Sequence, residues 1–280
     1  MFFRLTWIEM KKMAVRPRSY IGVVAISVIV LVILLALYAD GSSYIKFITQ
    51  SVEQSFLVEG KILNGYLVCF IILQTLIIQI PLLVALITGD SISGEAASGT
   101  IRLLLTKPVG RTSIILSKYL AGSVYTLGLV LWLGLLALGG GLLLFGAGDL
   151  IVIKSEEMII LQSSDVFWRF MVAIALAFLA LSLVGALSMM LSCFTDNSIG
   201  PIVITMAIII LFTIIGTMDV PIFEHLKPYL FTTHMVVWRN LFERPLPMGQ
   251  IMRSIWILTG HIVVFLGVAI LYFRKKDILS

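Results

Sequence analysis

Apolar residues in this chain gather into long runs instead of recurring at the spacing of a soluble core. Six runs stand out, at 21–39, 65–88, 119–145, 167–194, 199–218 and 255–273. Each is near or above the roughly 20 residues that an α-helix needs to cross a bilayer. The pattern predicts an all-α integral membrane fold, six transmembrane helices in a single transmembrane domain over 1–280. Pro81 falls inside the second run and predicts a kink there. Glycines crowd the outer part of the third run, at Gly134, Gly139, Gly140 and Gly141. Close helix contact or a frayed helix end are the two readings of that feature.

Between the runs the pattern changes character. Residues 1–20 mix apolar and basic positions. On a helix Phe2, Phe3, Trp7, Met10 and Met13 share an arc, and Arg4, Lys11 and Lys12 face away. This reads as an amphipathic helix in the membrane interface, with Phe3, Trp7 and Met10 as its anchors. The competing reading is an ordinary basic flank of the first span. The segments 40–64 and 148–166 read as modest loops. The segment 219–254 is too apolar for a free loop and too interrupted by proline for a span, so it is expected as re-entrant or surface-hugging helices at the outer interface.

Charge sets the expected orientation. An even number of spans puts both termini on one side. That side, with 89–118, holds 12 of the 20 Lys and Arg residues and 5 of the 15 Asp and Glu residues. Lys and Arg accumulate on the cytoplasmic side of membrane proteins. Both termini and 89–118 are therefore expected in the cytoplasm, and the net charge of +5 follows from topology. No basic run interleaved with aromatics suggests a nucleic-acid partner. Cys69 and Cys193 are too few for a disulfide framework and are expected as free thiols.

The chemistry of catalysis is missing from the pattern. His261 is the one ionisable residue well inside a run, and it reads as a neutral histidine bonded to a neighbouring helix. Proton-driven carriers need intramembrane charge, which argues against that class. No zinc motif, Gly-x-Ser-x-Gly elbow or Gly-x-x-x-x-Gly-Lys-Ser/Thr loop occurs. His225 and His234 share no helix face, because Pro228 lies between them. The expectation is a non-enzyme with no catalytic, cofactor-binding or metal-binding residues. If nucleotide powers it, another chain holds the nucleotide.

The segment 89–118 is then the informative one. Asp90 and Glu95 follow the second run, with Gly94 and Gly99 expected to loosen the backbone. Thr100 is positioned to cap a short helix over 101–106, which Pro108 stops. Pro108 to Arg111 reads as a tight turn. Thr112 or Ser113 is expected to cap the third span, and Lys118 to mark lipid headgroup level. Glu95, Thr100, Arg102 and Arg111 are expected to reach away from the lipid. A solvated loop whose basic residues only enforce orientation is the plainer alternative.

The residues Asp90-Ser-Ile-Ser-Gly-Glu95, Gly99-Thr100, Leu103-Leu104-Leu105, Pro108-Val109-Gly-Arg111 and Lys118 resemble the signature of ABC-2 type transporter permeases. Within that family they are most similar to the subgroup that includes the permease of the nitrous oxide reductase maturation system. Ala96-Ala97 departs from the pattern, where relatives often carry a polar residue after the glutamate. The resemblance implies a permease that couples ATP hydrolysis by a partner to export or conformational work. It implies a coupling helix between spans two and three, with Glu95, Gly99, Thr100, Arg102, Pro108 and Arg111 contacting the partner ATPase. Expected partners are a dimer of ATP-binding cassette subunits holding ATP and Mg, a second permease copy (a homodimer before a heterodimer) and the lipid bilayer. The expected location is a bacterial or archaeal cytoplasmic membrane, multi-pass. Rival readings are an ATP-independent transporter or channel, an intramembrane enzyme and a non-transporting anchor subunit.

Overall fold

A computed structural model describes residues 2–49, 62–76, 79–101, 106, 108–153 and 158–276. Its long helices are α1 (Phe2–Val15), α2 (Pro17–Thr49), α3 (Gly65–Thr75), α4 (Gln79–Thr88), α5 (Asp90–Ala97) and α6 (Arg111–Gly134). A π turn at Leu135–Gly139 carries α6 into α7 (Gly140–Phe145). After a hairpin come α8 (Ser163–Phe194), α9 (Gly200–Thr217), two one-turn helices α10 (Pro221–Glu224) and α11 (Phe231–Met235), and α12 (Met248–Lys275). Among the described residues five helices are long and apolar enough to cross a membrane; α3 and α4 make a sixth if they form one broken span.

Helices outrun the apolar stretches that predicted them. The third begins at Arg111 instead of residue 119, the fourth at Ser163 and the last at Met248. Hydrophobicity sets what the bilayer covers, whereas backbone hydrogen bonding sets where a helix ends. The second run bends by 55° between α3 and α4. Pro81 sits in the first turn of α4, where a missing N–H removes no intrahelical bond.

α8 is the central post. In its most apolar window 61% of residues are buried, against 17% for α9 and α12. Its upper half packs Phe170 on Tyr66 and Phe242. Lower down Leu183, Val184 and Leu187 meet Ala85 of α4 and Leu258 of α12. Small residues let α4 and α5 lie close on it: Ser188 Oγ donates to Ala85 O at 3.2 Å, and Ser192 Oγ accepts from the Ile92 and Ser93 amides at 3.2 and 2.9 Å. Those amides belong to the first turn of α5.

The glycine-rich stretch is a contact surface. A Cβ on Gly65 would stand 2.6 Å from the carbonyl carbon of Gly141. α3 and α7 therefore touch backbone to backbone, which decides between the two sequence readings.

Two regions differ from the all-helix expectation. Residues Leu150–Ile153 and Met158–Leu161 form an antiparallel hairpin, β1 and β2. Leu150 pairs with Leu161 and Val152 with Ile159, and these four are buried while Ile160 is exposed. Alternating β-branched residues with one buried face explain the strands. The 219–254 segment is also less superficial than expected. Phe231, Trp238, Leu241 and Phe242 are buried among the spans. Arg169 of α8 fixes this segment by donating to the carbonyls of Leu241 and Glu243 while paired with Asp165 at 2.8 Å.

Cys69 and Cys193 are free and buried. His261 bonds the Ile257 carbonyl one turn back in its own helix, at 2.8 Å, not a neighbouring helix. His234 lies between Ser254 Oγ and Pro228 O, at 2.8 and 2.9 Å.

Candidate functional site

The polar segment after the second run folds first as helix. Gly89 N bonds Ala85 O at 2.8 Å, so α4 runs almost unbroken into α5. Gly94 is a helical residue, not a loosened joint. A Cβ there would collide with Asp90 Oδ1, so glycine makes room for the Asp90 carboxylate one turn earlier. The helix ends at Ser98 and Gly99, whose φ of +70° is one that glycine adopts without strain. Thr100 is exposed; its hydroxyl bonds Ser98 Oγ and donates to Glu95 O at 3.3 Å. Arg102 and most of the expected 101–106 helix lie outside the described residues. Pro108 is exposed.

Glu95 does not reach outward. It is 4% exposed and belongs to a knot of four charges from three helices. Lys118 Nζ of α6 lies 2.9 Å from Glu9 Oε2 of α1 and 2.8 Å from Glu95 Oε1 of α5. Lys12 Nζ closes the ring, 2.9 Å from Glu9 Oε1 and 3.1 Å from Glu95 Oε1. Lys118, expected at headgroup level, is instead 1% exposed. Two cations balance two anions, which removes the cost of burying either sign alone. Glu95 Oε2 is buried and has no hydrogen bond among the described residues.

Electrostatics at the knot follow from this geometry. Burial pushes the Glu9 carboxyl upward, but Lys118 and Lys12 outweigh it and hold its pKa below the ordinary value of 4.5. Burial likewise pushes Lys12 down, while its bonds to Glu9 and Glu95 hold it above 10.5.

α1 presents two faces. Thr6, Glu9 and Met13 are buried, with Met10 partly buried beside Met13, Ile87 and Ala121. Phe3 and Trp7 are exposed, and Lys11 stacks over the Trp7 ring at 5.5 Å. Of the three expected anchors Phe3 and Trp7 are exposed while Met10 packs inward, and Lys12 faces the protein, contrary to the sequence reading. A second ionic group adjoins the first: Asp90 accepts from Arg16 at 3.3 Å, Arg18 at 3.1 Å and Ser198 Oγ at 2.5 Å.

Arg111 also turns inward. Its Nη1 donates to the carbonyls of Phe273, Arg274 and Lys276 at 3.0, 3.1 and 2.7 Å. These are last-turn carbonyls of α12 and its cap, and a cation is favoured there. The expected Thr112 or Ser113 cap is absent; Gly110 occupies that position without a side-chain bond.

Sequence reading missed Glu9, Lys12 and Lys118 as a unit. The signal was present: Lys118 shares a helix face with Ile114, Ile115, Ala121 and Gly122, all buried. A lysine on an apolar face needs a buried partner.

Comparison with known proteins bears on what such a bundle belongs to. A family model described as "Protein of unknown function (DUF2705)" matches residues 28–279. The chain belongs to the DUF2705 family. This DUF2705 member is also 40% identical over 67 residues to the "Probable ABC transporter permease protein NosY" of Stutzerimonas stutzeri. That match spans about a quarter of either protein, 24% of each. The DUF2705 assignment itself covers nearly all of the described spans.

Proposed function

We propose that the chain is the permease subunit of an ATP-binding cassette transporter of the ABC-2 type. The observation that carries this reading is the 40% identity with the NosY permease. In this reading the protein has six spans with both termini cytoplasmic, in a bacterial or archaeal cytoplasmic membrane. Separate subunits hold ATP and Mg, and two permease copies enclose the path. The chain itself performs no catalysis.

The charge knot gives the reading a mechanical basis. An ATPase docked at Gly99, Thr100, Arg102 and Pro108 would push on α5. Glu95 then passes that displacement to α1 and α6 through Lys118, because moving α5 alone would strand a buried carboxylate. Glu95 and Arg111 take part here as internal links; the exposed Thr100 and Pro108 are the better contact points.

Co-expression of the chain with ATP-binding cassette subunits of its host provides the test. One such subunit is expected to co-purify, with ATPase activity that Arg102→Ala uncouples while membrane insertion is unchanged. Solute movement by the chain alone in liposomes, without ATP or a partner, would overturn the proposal in favour of a secondary transporter or channel.

A further inference from the structure

The cleft beside the charge knot has a different character from the knot itself. It has a volume of about 320 Å³ and is lined by Arg16, Arg18, Asp90, Gly94, Ser98 and Ser198, with Pro17 at its edge. Two guanidinium groups share one carboxylate there. Each uses a single nitrogen on Asp90, and a guanidinium carries five N–H donors. The group keeps a net charge of +1 and most of its donors free of Asp90. Side chains of Arg16 and Arg18 are 42% and 56% exposed.

Its depth is fixed by the fold. The first span begins at Pro17, between the two arginines, so both sit where hydrocarbon gives way to headgroups. Apolar surface leads away from the cleft along two helices. On α2 the exposed residues Tyr20, Val24, Val28, Leu31 and Leu35 recur at helical spacing. On the α4–α5 rod, the exposed Leu82 and half-buried Leu86 lie two turns and one turn before Asp90 on the same face. α2 and α9 both pack on α4. A positive, donor-rich cleft at the head of an apolar track matches a molecule with an anionic head and acyl tails.

We propose that this cleft binds the phosphate headgroup of an anionic membrane lipid, held by Arg16 and Arg18. Paired guanidinium groups suit phosphate oxygens through their forked geometry, and basic pockets between membrane helices are recurrent lipid sites. The proposal depends on α2 being a membrane span and not on the transporter reading.

Native mass spectrometry of the full-length chain from mixed micelles of phosphatidylglycerol and phosphatidylcholine tests it. The wild type is expected to retain phosphatidylglycerol over phosphatidylcholine by about tenfold, equivalent to about 1.4 kcal/mol. The Arg16→Gln/Arg18→Gln variant is expected to lose that preference. Arg16→Lys/Arg18→Lys keeps the charge without the fork and is expected to retain an intermediate preference; it serves where the Gln pair fails to fold. Equal retention of both lipids by the wild type overturns the site, as does undiminished preference in either double variant. Excess inorganic phosphate is expected to leave the lipid bound. If phosphate alone displaces it, the cleft binds a free anion and the headgroup assignment fails.

Discussion

Lys118 Nζ stands 2.8 Å from Glu95 Oε1, joining α6 to α5. Glu9 shares the same ammonium at 2.9 Å. Removing the lysine leaves two buried carboxylates sharing Lys12 alone. Lys118→Met is expected to destabilise the protein by about 3–5 kcal/mol, read as a lowered unfolding midpoint in detergent. Adding Glu95→Gln should recover part of the loss. Strict additivity of the two substitutions would show that the pair is not coupled.

The docking of α1 is expected to depend on pH. Glu9 titrates below 4.5 in the folded protein, so its contribution is complete above that value and is lost as pH falls through the lowered pKa. Lys12 titrates above 10.5, so its contribution is complete below that value and is lost as pH rises through the raised pKa. Between these limits a cysteine at the buried Thr6 should resist labelling. Below the ordinary carboxylate range its labelling, measured relative to a free thiol, should rise. A flat profile through the acid limb would separate α1 docking from Glu9.

Arg111 is expected to govern the end of the last helix. Arg111→Gln removes the donor to three carbonyls, a loss of about 1.5–3 kcal/mol for bonds to a charged group, reduced by its partial exposure. Hydrogen exchange over 272–276 should accelerate while the middle of α12 is unchanged. Unaltered protection at those amides would contradict the capping role.

At the opposite end of the bundle, Gly65→Val should be poorly tolerated. The new side chain meets backbone of α7, which has no rotamer to give. Overpacking of this kind costs about 1–3 kcal/mol or more. Loss of a monodisperse peak on size exclusion is the expected result, and Gly128→Ala, which meets nothing, is the control.

The membrane helices were legible because each apolar run is near or above the roughly 20 residues a bilayer demands, and 199–218 nearly coincides with Gly200–Thr217. The hairpin was not legible: two four-residue strands carry little periodic signal, and their register needs a partner. Within the candidate site, a backbone break at Gly99 and the polar character of Asp90 to Glu95 showed in the sequence; the helix that Gly99 ends did not. The inward turn of Glu95, Lys118 and Arg111 did not, since helix-face patterns say that a charge is misplaced but not which distant residue neutralises it. Glu9 and Lys118 lie 109 positions apart.

The bend between α3 and α4 divides one predicted span into an elbow with two unequal forearms. The forearm from Gln79 to Ala97 is riveted to α8 by Ser188 and Ser192, and the other leans on α7 through Gly65. A torque applied near Gly99 would turn the first forearm together with α8 and leave the second at rest. Substitutions in the two halves of this span should then produce distinct defects, one in response to force and one in assembly.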